Sequence, residues 1–75
     1  MPSDEEQAGT RIWRVRRRGE WIDAGVHHSA GKWRLQLTRR GRLIGDWDFE
    51  TREDAIDAAG ARRQELERAG WTEHW

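Results

Sequence analysis

The chain has 75 residues, enough for one small domain, and carries 14 basic and 14 acidic side chains with no cysteine. A domain of this size buries a modest core, and the absence of disulfides leads us to expect a reducing, cytoplasmic location. No apolar run is long enough for a signal peptide or a membrane span, so we expect no membrane partner. The use of arginine rather than lysine fits the GC-rich coding sequence of a bacterium or phage.

The net charge of zero conceals a segregation of charge along the chain. Residues 1–10 contain three acidic groups and no basic group. Residues 11–42 contain ten basic and two acidic groups, which gives +8, and residues 43–75 contain four basic and nine acidic groups, which gives −5. This segregation predicts a polyanionic partner, self-association or internal neutralisation.

Residues 1–10 lack apolar periodicity and are rich in acidic groups, which predicts a disordered arm. The remainder, residues 11–75, is expected to form a single βββ(β)α domain. From residue 11 to residue 49 apolar and polar side chains alternate, as is typical of β-strands. The predicted strands cover residues 11–17, 20–27, 32–38 and 42–49.

A helical pattern follows the strands, from Thr51 to residue 69. Thr51 is typical of an N-cap, and Gly70 is typical of the position that ends a helix. The predicted fold class is therefore α+β, an antiparallel meander sheet of three to four strands packed on one C-terminal α-helix. The residues expected in its core are Trp13, Val15, Ile22, Ala24, Trp33, Leu35, Leu37, Leu43, Trp47, Phe49, Ile56, Ala59 and Leu66.

We expect a two-residue turn at residues 18–19 and a three-residue turn at residues 39–41, because glycine accepts a positive φ. Both turns then lie at the same end of the meander, where their arginines are expected to be solvated and unpaired. Residues 27–31 are expected to form the loop at the opposite end. The turns set the cross-strand pairs as Trp13 with Ala24, Val15 with Ile22, Leu37 with Leu43, Trp33 with Trp47, Arg34 with Asp46 and Lys32 with Asp48.

No pattern of catalytic or metal-binding residues accompanies these elements. His27 and His28 are adjacent, so on a strand they would point to opposite faces, and no cysteine is present to complete a metal site. We therefore expect no catalytic residue, no metal and no cofactor, and we expect that the protein is not an enzyme.

Arginine side chains crowd the two predicted turns and the outer face of the sheet, together with an exposed tryptophan. Such a surface is typical of proteins that bind the phosphates of nucleic acid. The candidate nucleic-acid-binding residues are Arg14, Arg16, Arg17, Arg18, Trp21, Arg34, Arg39, Arg40 and Arg42.

The segment over residues 31–63, GKWRLQLTRRGRLIGDWDFETREDAIDAAGARR, resembles the plant ethylene-response-factor DNA-binding domain and the arm-type domains of phage tyrosine integrases. The matching features are Gly31-Lys32-Trp33, the alternation through Leu37, Gly45, and the alanine-rich helix after Thr51. That T-x-E-x-A helix start is also similar to small bacterial βββα domains of unknown function. The resemblance implies a three-stranded sheet that lies in the major groove, with contacts from Arg14, Arg16, Arg34 and Arg42.

The leading interpretation is a non-enzymatic module that binds nucleic acid, in the first place double-stranded DNA, through arginine-rich hairpins and the outer sheet face. The alternative is a small phage or bacterial protein-interaction or regulatory module that uses exposed tryptophan and arginine, with a homodimer as one form of it. Composition does not choose between them, because tryptophan and arginine are also enriched at the energetic centres of protein interfaces.

Overall fold

The computed structural model describes residues 10–73, within which the chain forms five β-strands and one α-helix. The strands build one antiparallel sheet in the order β4-β3-β2-β1-β5, and the helix packs on one face of it. The α+β class, the meander of β1 to β4 and the single helix that follows it are confirmed. In chain order the elements are β1 (Thr10–Arg17), β2 (Glu20–Ser29), β3 (Lys32–Arg39), β4 (Arg42–Phe49), α1 (Arg52–Arg68) and β5 (Thr72–Glu73).

The expected acidic arm lies outside the described residues except for Thr10, which is the first residue of β1 and not part of an arm. The last two residues of the predicted domain, 74 and 75, also lie outside the described part of the chain. Between residues 10 and 73, no helix is both long and apolar enough to cross a membrane.

The fifth strand corrects the expected count of three to four strands. Gly70 has a φ of +100°, and the amides of Gly70 and Trp71 donate to the carbonyls of Glu67 and Leu66, which ends α1 in a Schellman motif. This turn buries the Trp71 ring and leads the next two residues into antiparallel pairing with the end of β1. A strand of two residues has no alternating pattern, so the sequence did not predict it.

The first hairpin has the predicted register. Arg18 and Gly19 both have positive φ, 53° and 77°, as a type I′ turn requires. Across this turn Val15 lies opposite Ile22, and Trp13 lies opposite Ala24. These four apolar side chains are all buried, so the pattern that set the register also filled the core.

The predicted register of the second hairpin is wrong. The turn has two residues, Arg40 and Gly41 with φ of 55° and 76°, and Leu35 instead of Trp33 lies opposite Trp47. Leu43 and Gly45 lie opposite adjacent residues of β3. One extra residue therefore stands between them in β4, and the register shifts at this bulge. Leu43 was expected in the core, but this bulge leaves it 52% exposed.

The packing of Trp47 explains why glycine occupies position 45. A Cβ atom at Gly45 would lie 2.3 Å from Cη2 of the Trp47 ring, so the ring lies flat along the strand in the space that a side chain would fill. Arg62 of α1 places its guanidinium carbon 4.6 Å from the centroid of the same ring. The second hairpin is thus attached to the helix through a half-buried tryptophan.

The third turn corrects the expected loop over residues 27–31. Ala30 and Gly31 form another two-residue turn with positive φ, and β2 extends through both histidines to Ser29. His28 lies beside Trp33 across the strands, with 4.7 Å between the ring centroids. The strands are longer than predicted because histidine and serine continue the cross-strand pairing without an apolar pattern.

The helix approaches the sheet through its smallest side chains. Ala55 and Ala59 are fully buried, and Nε1 of Trp13 donates a 2.9 Å hydrogen bond to the carbonyl of Ala59. The Oγ1 atom of Thr51 accepts from the amide of Asp54 at 3.1 Å, which confirms the predicted N-cap. The observed core consists of Trp13, Val15, Ile22, Ala24, Val26, Leu35, Leu37, Ala55, Ala59 and Trp71.

Candidate nucleic-acid interface

The two arginine-rich turns lie at the same end of the sheet, as the meander requires. Contacts between the turns show that they converge, because Glu20 at the start of β2 contacts both Arg39 and Arg40. With six cations and one carboxylate, this region has a net charge of +5. We name it the basic end and define it by Arg16, Arg17, Arg18, Glu20, Arg39, Arg40 and Arg42.

Glu20 organises the second turn. Its Oε1 atom accepts hydrogen bonds from Arg39, including one from Nε at 2.7 Å, and its Oε2 atom accepts from Nη2 of Arg40 at 3.0 Å. The hydrogen bond from Arg39 lowers the pKa of Glu20, and the charges of Arg39, Arg40 and Arg17 act in the same direction. The expectation that Arg39 and Arg40 are unpaired is therefore wrong, since Glu20 forms ion pairs with both.

Arg17 is also not free, contrary to the prediction. Its Nη1 atom donates a 2.7 Å hydrogen bond to the carbonyl of Ala69, at the negative end of the helix dipole. Its guanidinium carbon lies 4.9 Å from the centroid of the Trp71 ring, and that of Arg39 lies 5.5 Å from the same ring. Trp71 thus joins the C-terminal end of α1 to both arginine-rich turns.

Three arginines of the basic end remain available for an external anion. Arg16, Arg18 and Arg42 are exposed, and within residues 10–73 their guanidinium groups have no hydrogen-bond or ion-pair partner, since Thr72 bonds only to the backbone carbonyl of Arg16. They come from β1, the first turn and the start of β4, so they are distributed across the whole end of the sheet. Of the four turn arginines that were expected to be solvated and unpaired, Arg17, Arg18, Arg39 and Arg40, only Arg18 agrees with that prediction.

The outer face of the sheet, opposite α1, is largely neutralised by its own acids. Arg14 donates from Nε to Oδ1 of Asp23 at 2.5 Å, and Arg34 donates from Nε to Oδ1 of Asp48 at 2.8 Å. These hydrogen bonds raise the pKa of Arg14 and of Arg34, and the bond from Arg34 lowers the pKa of Asp48. An external phosphate would compete with these carboxylates at both arginines.

The corrected register also changes the predicted acid partners on this face. Arg34 lies opposite Asp48 instead of Asp46, although Asp46 remains 3.4 Å away. Lys32 pairs with Glu50, beyond the end of β4, instead of with Asp48. The hydrogen bond to Glu50 raises the pKa of Lys32.

Trp21 is the exposed aromatic residue of the outer face, with 43% of its surface accessible. It lies opposite Arg16, and the guanidinium carbon of Arg14 is 5.4 Å from its ring centroid. The structure therefore places Trp21 between the neutralised face and the basic end, where it offers a flat apolar surface beside cations.

A pocket of about 330 Å³ opens beside the second turn. The pocket lies at the β4 bulge, where two large apolar side chains are exposed and do not pack in the core. Sequence reasoning missed this pocket, and the signal that could have revealed it was an Arg-Gly turn followed by an arginine, two aliphatic residues and a glycine. The lining residues are Glu20, Arg39, Arg40, Arg42, Leu43 and Ile44.

Within residues 10–73 no group of three or more histidine, cysteine, aspartate or glutamate side chains is arranged to hold a metal ion. Searches against protein-family models, curated proteins and solved structures found no match to this chain. No relative therefore indicates a function, and the resemblance to DNA-binding domains stays a prediction.

Proposed function

We propose that this protein is a non-enzymatic nucleic-acid-binding module that binds the phosphate backbone of double-stranded DNA through its basic end. The observation that carries the proposal is the concentration of six arginines and one acid at one end of the sheet, with Arg16, Arg18 and Arg42 unpaired in the described part of the chain. A cluster of this kind attracts polyanions and supplies most of the affinity in sequence-independent binding.

The paired residues have a different role in this proposal. Arg14 and Arg34 already bind carboxylates, so they contribute less to affinity than the arginines of the basic end. Hydrogen bonds to Asp23 and Asp48 hold the two guanidinium groups in fixed positions on the outer face. If the outer face follows the basic end onto DNA, these arginines and Trp21 are the residues that would contact bases, as the resemblance implies.

The test is the salt dependence of binding to a duplex oligonucleotide, measured by fluorescence anisotropy from about 50 to 200 mM salt. The variant Arg18→Ala/Arg42→Ala removes two unpaired cations from the basic end. It should weaken binding and lower the slope of log K against log salt by about two units, because each lost phosphate contact contributes about 0.9.

The matched control is Lys32→Ala/Arg52→Ala, which removes the same charge from the opposite end of the sheet. If affinity depends on the basic end, this control keeps most of the parent's slope. Equal slopes for the two double variants would show that only net charge matters, and absence of binding by the parent protein at low salt would overturn the proposal.

One observation favours the protein-interaction alternative. Trp21, Leu43 and Ile44 are 43%, 52% and 53% exposed, and large apolar side chains beside arginine are typical of protein interfaces. Light scattering during size-exclusion chromatography distinguishes this function. A discrete dimer that is lost in Trp21→Ser, together with no salt-dependent binding of DNA, would favour the protein-interaction module.

A further inference from the structure

The pocket beside the second turn has two chemically different walls. One wall is cationic and contains Arg39, Arg40 and Arg42, while Leu43 and Ile44 form an apolar wall. Both apolar side chains are more than half exposed to water, so a ligand that covers them would remove apolar surface from water, which is favourable. The volume, about 330 Å³, falls at the lower end of the range for small-ligand sites.

The arginines of the cationic wall are only partly neutralised by acidic side chains. Arg39 and Arg42 lie directly opposite each other across the strands, an arrangement that is destabilising for like charges. Glu20 compensates part of this charge, since it binds Arg39 and Arg40 but forms no ion pair or hydrogen bond with Arg42 in the described structure. With three cations and one anion, the lining has a net charge of +2.

The hydrogen-bond donors are also only partly used. A guanidinium group has five N–H donors, and Glu20 takes those of Nε and one on Nη2 from Arg39, and one on Nη2 from Arg40. The donors of Arg42 are all available to an external acceptor. Because Glu20 fixes two guanidinium groups beside the pocket, an anion would meet preorganised donors there.

We propose that this pocket binds a phosphomonoester carried by a sugar or apolar group, as in a nucleoside 5′-phosphate. Such a group carries a charge of about −2 at neutral pH, which matches the net charge of the lining, whereas a phosphodiester carries about −1. The phosphate contacts Arg42 and the remaining donors of Arg39 and Arg40, and the sugar and base lie against Leu43 and Ile44. The source is either a free mononucleotide or the 5′-phosphorylated end of a DNA strand, and only the second rests on the proposed function.

Isothermal titration calorimetry of the full chain with three probes tests the pocket: deoxyadenosine 5′-monophosphate, deoxyadenosine and inorganic phosphate. The monophosphate should bind at least about tenfold more tightly than either of the others, because it alone contacts both walls. Similar affinities for the monophosphate and deoxyadenosine, or no binding of the monophosphate, would overturn the proposal.

Two pairs of variants locate the site. Arg42→Gln should weaken binding of the monophosphate by about tenfold, whereas Arg18→Gln, with the same charge change at the other turn, should leave it within about twofold. Ile44→Ser should weaken the monophosphate and leave inorganic phosphate unchanged. Equal effects of the two arginine variants would overturn the assignment, and thermal melting monitored by circular dichroism checks that each variant is folded.

Duplexes that differ only in a 5′-phosphate or a 5′-hydroxyl distinguish the two sources. Tighter binding of the phosphorylated duplex, abolished in Arg42→Gln, assigns the pocket to strand ends. Equal binding of both duplexes, with the monophosphate still bound, assigns it to a free nucleotide. If the duplexes bind equally and the monophosphate does not bind, the pocket proposal fails while the proposed function stands.

Discussion

The two hairpins of the basic end have the same turn and different consequences. Arg18-Gly19 and Arg40-Gly41 are both two-residue turns with positive φ at both positions. The strands of the first hairpin form five regular pairs from the turn before the register shifts in β1, whereas those of the second form only two pairs before the bulge. Near its turn the first hairpin therefore supplies core, whereas the second supplies exposed apolar side chains and a pocket, and buries Leu35 and Leu37 farther along β3.

Two hairpins with the same turn can therefore differ in register, because the side chains that follow the turn determine which residues are buried and which are exposed. Beyond the first turn Val15 and Ile22 are both buried, so a change of register would expose them. Beyond the second turn Gly45 contributes no side chain, and Trp47 occupies its space. Leu43 is exposed and does not pack in the core, whereas Trp47 packs against the core from the same strand.

We expect the greatest loss of stability from replacing a tryptophan, and we expect the loss to differ between the two hairpins. Trp13 is 2% exposed and binds the helix through its indole N–H, whereas Trp47 is half-buried at the edge strand. Trp13→Ala should destabilise the fold by about 3–5 kcal/mol, which is comparable to the whole stability of such a domain, and Trp47→Ala should cost less. Urea unfolding of the two variants measures the difference, and equal costs would contradict this division of the core.

The second effect concerns the glycines within the strands. Gly45→Ala forces the Trp47 ring away from its position and should cost about 1–3 kcal/mol, since overpacking displaces a packed side chain. Gly25→Ala in β2 is the matched control, because its Cβ would meet Thr10 O at an ordinary 3.6 Å. The control should melt near the parent temperature. A Gly45→Ala protein as stable as Gly25→Ala would show that the Trp47 ring moves without cost.

These comparisons explain how far the sequence could predict the molecule. The first hairpin, the N-cap at Thr51 and the convergence of the turns depend on local patterns, and the structure confirmed them. The bulge lies beside a glycine whose side-chain space is filled by the ring two residues away, and a pattern of alternating polarity does not contain such a contact. Similarly, nothing in the sequence pattern alone assigns Glu20 to the arginines of another hairpin.

The link between the hairpins through Glu20 should be visible as a pH effect. Because Arg39 lowers the pKa of Glu20 in the folded state, the interaction stabilises the fold above the pKa of the unfolded chain. This stability is lost as the pH falls through the lower, folded-state pKa of Glu20. Carbon-detected NMR titration should find Glu20 below the usual glutamate range, and Arg39→Gln should return it toward that range; an ordinary value in the parent would contradict the bridge.

The smallest expected effect compares neighbouring arginines of the first turn. Arg17 lies over Trp71 and donates to the carbonyl of Ala69, so Arg17→Ala loses a cation–π contact and a hydrogen bond at the end of α1. We expect a cost of about 1 kcal/mol, because each contact is partly exposed. Arg18→Ala should leave stability unchanged within about 0.5 kcal/mol, since exposed side chains without partners contribute little.

In DNA binding the order should reverse, with Arg18→Ala having the larger effect, because Arg18 has no partner to give up before it contacts phosphate. Chemical unfolding and anisotropy titration of the same two proteins check both orders. If Arg17→Ala reduced affinity more than Arg18→Ala at equal stability, the stacked arginine and not the unpaired one would be the phosphate contact of this turn.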